Sequence, residues 1–149
     1  VKKMEYMFDG CENFNCDLSD WDVSSVINMA HMFKNCYHFN SDLSKWNVRN
    51  VQNMTHMFKN CYNFNSNIND WNVINVISMS EMFWGCKKFN SNLSDWNIPS
   101  LRSIKCMFKN CNKFEGKGLE NWDTTKIVLK EEVFDGCKSL KNEPSWYKP

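Results

Sequence analysis

Six cysteines close six copies of one phrase. "MFKNC" occurs at Met32–Cys36, Met57–Cys61 and Met107–Cys111, with the variants "MFDGC" at Met7–Cys11, "MFWGC" at Met82–Cys86 and "VFDGC" at Val133–Cys137. Thiols in such number could pair as disulfides, ligate a metal, attack a substrate or pack as small hydrophobes. Cysteines stacked on successive repeats at about 4.8 Å hold their Cβ atoms near that distance instead of the roughly 3.8 Å a disulfide takes. They also form a line, whereas zinc needs sulfurs converging on a point at about 2.3 Å. A nucleophile needs one oriented base beside it, but here the same environment recurs six times and the histidines fall elsewhere in the repeat. Cys11, Cys36, Cys61, Cys86, Cys111 and Cys137 are therefore expected to be a structural ladder of buried free thiols. Cys16 and Cys106, out of register, are the expected exposed pair.

Other chemistry is thin. His31 and His56 share a repeat position with Tyr6, Glu81, Cys106 and Glu132, and read as solvated histidines or, alternatively, as a weak transition-metal site. "GKG" at Gly116–Gly118 lacks the rest of a phosphate loop. The expectation is a protein with no catalytic residues, no cofactor and no metal, so not an enzyme.

The elements that carry these residues follow from the period. The phrase cysteines are 25 residues apart four times and then 26, and Trp21, Trp46, Trp71, Trp96 and Trp122 keep step, as do Phe14, Phe39, Phe64, Phe89 and Phe114. Trp46-x-Val48 alternates as a strand does, whereas Val51, Met54, Met57 and Phe58 fall on one helical face. Ser25, Asn50, Asn75 and Ser100 suit an N-cap, and only Gly or Asn fills the position before each cysteine, as a left-handed C-cap requires. The prediction is an α/β solenoid, right-handed, of five to six coils, with parallel short strands on one face and short helices on the other. It forms one domain over residues 1–149, with 118–149 as a degenerate capping coil.

The run "FNSDLSKWNVRNVQNMTHMFKNC" resembles the BspA-like leucine-rich-repeat family, over residues 4 to 140. The resemblance implies a surface or secreted protein with an adhesive binding role and no catalytic residues to carry over. Departures gather at the end, where "FEGKGLENW" inserts a residue and Glu115 interrupts the column Asn15, Asn40, Asn65 and Asn90, expected to be an internal asparagine ladder.

With 42% hydrophobic residues the chain should fold, and 18 basic against 17 acidic residues leave a net charge of +1, so no overall field points to nucleic acid. No apolar run approaches the roughly 18 to 20 residues of a membrane span, and "VKKMEYMF" is no signal peptide, so no direct membrane insertion is expected. A partner, protein or glycan, has to be sought where the repeat breaks. One candidate is the strand-side row Asp22, Asn47, Asn72, Asn97 and Asp123. The other is the edge where the column Asp9, Lys34, Lys59, Trp84, Lys109, Asp135 runs beside Tyr37, Tyr62, Lys87 and Lys88, with Trp84 exposed among charges. The reading is a non-enzymatic protein- or glycan-binding module. The alternative is a self-assembling array, since Val1–Ser25 carries six acids and two bases whereas Trp84–Lys117 carries seven bases and two acids, and such ends can associate.

Overall fold

The computed structural model describes residues 2–147. Its backbone corrects the expected fold class. Among the described residues there is no helix and no extended strand; the regular pairing consists of isolated parallel bridges joining Lys3, Asn28, Asn53, Ser78, Ser103 and Leu129 in turn. The α/β architecture of alternating strands and helices is therefore wrong, although the 25-residue register holds. Each unit, counted from one Met–Phe phrase to the next, lies on its neighbour.

The reason lies in how the phrase uses its amides. An α-helix sends every N–H to the carbonyl four residues back. Here Met7, Asp9 and Cys11 donate to Met4, Tyr6 and Phe8, three residues back, at 3.0 to 3.3 Å, while the alternate amides of Met4, Tyr6, Phe8 and Gly10 cross to Asn28, Ala30, Met32 and Lys34 of the next unit at 2.8 to 3.1 Å. The chain is a run of β-turns whose other edge is bonded to the following unit. Turns of this kind bring their first and last residues within about 7 Å, so both ends face inward. Leu43 with Trp46, Val48 with Val51, Met54 with Met57, and Phe58 with Cys61 are such bonded ends, and all are buried. Apolar spacing of three thus arises without a helix. The expected strand at Trp46-x-Val48 is likewise absent, and the bridge sits at Asn53.

Two left-handed residues per unit close off the helical alternative. The Gly or Asn before each cysteine has positive φ as expected, from 61° to 62° at Asn35, Asn60 and Asn110 and near 79° at Gly10 and Gly85, where the third residue of a type II turn needs it. A second column, Tyr6, His31, His56, Glu81, Cys106 and Glu132, also lies at φ of 53° to 61°. These side chains accept a conformation that favours glycine by about 1 kcal/mol or more. Gly85 has a further reason to be glycine: a Cβ there would lie 2.3 Å from Asn60 Oδ1.

Packing is columnar. Phe33 stacks on Phe39 at 4.1 Å within its unit and on Phe58 at 5.6 Å in the next. Trp46 and Trp71 lie parallel at 6.5 Å, and each indole N–H donates back to the preceding unit, to Leu18 and Leu43 carbonyls at 2.9 Å. Trp146 extends this column beyond Trp122 and donates to Leu119 at 2.7 Å. Tyr147 meets Phe134 edge-on at 5.0 Å, and its hydroxyl accepts the Val133 amide at 3.3 Å.

Candidate interaction surface

The thiol column is bonded from unit to unit. The phenylalanine carbonyl in each of the first five phrases accepts the amide three residues on and, in addition, the thiol of the next unit: Cys36 Sγ donates to Phe8 O at 3.0 Å, Cys61 to Phe33 O and Cys86 to Phe58 O at the same distance, and Cys111 and Cys137 to Phe83 O and Phe108 O at 2.9 Å. Burial pushes the Cys36 and Cys137 thiols up to about 12 and those of Cys61, Cys86 and Cys111 well above the ordinary thiol range. Thiolates are therefore not available from these positions. All eight cysteines are free. The expected burial of Cys11 is corrected, since no earlier unit covers it among the described residues and it is exposed; Cys137 is half-buried, so the ladder is fully covered only at its centre. Cys16 is exposed as expected. The expectation for Cys106 is corrected: it is 3% exposed, and burial raises its thiol.

The asparagine column forms a ladder, but on the surface. Asn15, Asn40 and Asn65 accept the backbone amides of Asn40, Asn65 and Asn90 at 2.8 Å. Their side chains are exposed except at Asn90, which corrects the expected interior position. Glu115 does not interrupt the ladder. Its amide donates to Asn90 Oδ1 at 2.9 Å and its carboxylate accepts from Asn90 Nδ2 at 3.0 Å.

The strand-side row is largely spoken for. Asp22, Asn47, Asn72 and Asp123 each accept the amide two residues on, at 3.0 to 3.1 Å, closing local Asx turns. The Ser24 and Thr125 hydroxyls donate to the same carboxylates and, with those amides, hold Asp22 and Asp123 below their ordinary value. Asn97 differs because the residue two on is Pro99, which has no N–H. It borders a shallow groove of about 360 Å³ that Asp95, Asn121, Asp123 and Lys126 also line.

His31 and His56 are not plain solvated histidines. Tyr6, His31 and His56 stack at 4.4 Å, and His56 Nε2 meets the Glu81 carboxylate. Both Nδ1 atoms are buried without a partner. Burial lowers His31, and lowers His56 to about 4, with Glu81 opposing. Among the described residues no three His, Cys, Asp or Glu side chains are grouped to hold a metal ion.

The aromatic and basic edge is the most organised surface. Trp84 is half-buried instead of freely exposed, with Lys59 Nζ 4.1 Å and Lys109 Nζ 4.8 Å from its ring centre. These lysines come from the units before and after it. Lys59 also reaches Glu81 at 3.4 Å, and Lys109 reaches Glu132 at 3.1 Å, which raises the lysine's basicity and lowers that of the glutamate. The second column pairs Tyr37 with Tyr62 at 4.7 Å, and Lys87 Nζ lies 4.2 Å above Tyr62. Lys88 is exposed beside it. The part of Lys59 and Lys109 as ring partners was readable only from their place in Trp84's column.

The family described as "Mycoplasma protein of unknown function, DUF285" matches the chain over residues 1–76 and 44–147. Searches of curated proteins and of solved structures returned no match.

Proposed function

We propose, from the premise that the chain belongs to the DUF285 family of Mycoplasma proteins of unknown function, that it is a non-enzymatic binding module that engages a partner through the Lys59–Trp84–Lys109 edge. The surface and adhesive setting comes from the BspA-like resemblance and is part of this proposal. The observation that carries the reading is the ring clamped between two ammonium groups. A tryptophan replaces the lysine of the repeat at this one position, and its neighbours hold their charges over it. Cation–π contacts of this kind contribute about 0.5 to 1 kcal/mol at exposed sites, which orders the lysines without neutralising them. An ordered charge loses less freedom on binding than a mobile one.

The thiols support a non-catalytic role, since the buried ones are held far from their reactive state. Capture of partners on immobilised protein, compared with Trp84→Ala, tests the reading. Loss of the captured species in the variant supports it, and an unchanged set contradicts it.

Self-assembly is the second reading, favoured by the exposure of Tyr6 and Met7 on the first of the described units. Against head-to-tail growth stands the covering of the last unit by Trp146 and Tyr147. Light scattering across a concentration series separates the two: a constant monomer mass supports the binding module, and mass growing with concentration supports the array.

A further inference from the structure

We infer that the ligand of this edge is a short acidic peptide segment of a partner protein, about four to six residues long; the inference rests on the reading of the edge as a binding surface. Aromatic rings bind sugars and unpaired bases by offering a face. Here the faces are taken. Trp84 has Lys59 and Lys109 against its ring from the units on either side, and Tyr62 lies between Tyr37 and Lys87 in the same column. What the edge leaves for a ligand is the ammonium N–H groups beyond the one that Lys59 gives to Glu81 and the one that Lys109 gives to Glu132, each ammonium having three donors. The ligand must therefore be an anion bound by charge-assisted hydrogen bonds.

Charge and length narrow the choice. Lys34, Lys59, Lys87, Lys88, Lys109 and Lys113 occupy this edge on the second to fifth units, with Glu81 the acid among them. Asp9 on the first unit and Asp135 on the last continue the Lys34–Lys59–Trp84–Lys109 column with the opposite sign, and Glu12 and Glu132 lie beside them, while Lys138 keeps the sign of Lys87 in the neighbouring column. The positive stretch thus spans three unit steps, roughly 14 to 15 Å at about 4.8 Å each. An extended peptide covers that with four or five residues at about 3.3 Å apiece. A long polyanion following the Lys34–Lys109 column would run onto a carboxylate at each end.

Fluorescence anisotropy with fluorescein-labelled hexaglutamate, hexalysine and a heparin-derived hexasaccharide tests the assignment on the intact protein. Hexaglutamate should bind and hexalysine should not, with affinity falling as salt rises. The pair K59Q/K109Q should weaken hexaglutamate binding at least tenfold. Trp84→Ala should weaken it several-fold although every charge remains, which a merely diffuse basic surface would not show. Unchanged thermal midpoints establish that the variants are folded. Binding of the hexasaccharide without hexaglutamate overturns the peptide assignment and leaves the edge as a binding surface. Binding of neither anion also overturns it, and the edge then stands or falls on the Trp84→Ala capture comparison. Hexaglutamate binding that K59Q/K109Q leaves unaltered places the ligand elsewhere and contradicts the inference.

Discussion

Trp21 and Trp71 occupy the same place in the repeat and meet opposite surroundings: the first is 39% exposed, the second 2%. Cys11 and Cys36 differ in the same way, as do Phe14 and Phe39. Nothing in the local sequence separates them. What differs is the preceding unit, which provides the carbonyl that each central indole and thiol donates to and one wall of each aromatic stack. A unit is therefore not a fold by itself. Its side chains define half of a site, and its neighbour supplies the rest, so stability resides in the junctions. The other end shows the same rule, since Trp146 and Tyr147 cover Trp122 and Phe134 without a further Met–Phe phrase.

Substitutions at matched positions should expose that contrast. Trp71→Ala removes a buried ring and takes one of the two donors from the Leu43 carbonyl, leaving it the Trp46 amide, and should cost about 3 to 5 kcal/mol by chemical denaturation. Trp21→Ala should cost about 1 kcal/mol, because less area is lost and no cavity is enclosed. Equal costs would contradict the junction account. Trp146→Ala should fall between, at about 2 kcal/mol, because its ring is half-buried and its indole still donates to Leu119. A loss as small as that at Trp21 would show that the last unit is not covered as described.

Acid should loosen the stack from its histidine column. His56 ordinarily titrates near 6.5 but is lowered to about 4 by burial, so the unfolded chain takes up the proton first. Stability is then complete above about pH 6.5 and falls as the pH drops toward 4. His31, also lowered, adds to the same slope. Carboxylates held down by the hydroxyl and then the amide of a turn serine, such as Asp17 by Ser19 and Asp42 by Ser44, add a further loss below their ordinary value of 3.8. Denaturation midpoints measured between pH 7.5 and 3.5 check this, and His56→Gln should flatten the upper part of the curve. A midpoint that rises on acidification from 7 to 5 would contradict the burial of these imidazoles.

The register of the fold is legible in the amino-acid order, since the 25-residue spacing places phenylalanine on phenylalanine and tryptophan on tryptophan. The local backbone is not, because Val48, Val51, Met54 and Met57 recur every three residues both on a helix and at the ends of bonded β-turns. The Gly and Asn before each cysteine point to a left-handed residue in either case. The deciding residues are Tyr6, His31, His56, Glu81, Cys106 and Glu132, whose positive φ breaks any helix and whose side-chain types carry no sign of it. Cys106 shows the consequence: misplaced on an assumed helix, it reads as exposed, whereas the turn buries it. At the candidate site the columns are visible from the period, so Lys59, Trp84 and Lys109 can be aligned. Their meeting over one ring depends on side-chain direction, and Asn97 stands apart from its row only because Pro99 lacks an amide hydrogen.

Timed alkylation of the native protein, read site by site by mass spectrometry, tests the role of the neighbouring unit most directly. Cys11 and Cys16 should label at once, and Cys137 more slowly. Cys36, Cys61, Cys86, Cys106 and Cys111 should label only on unfolding. Comparable rates at Cys11 and Cys36, which end nearly identical phrases, would contradict the claim that each unit is completed by the one before it.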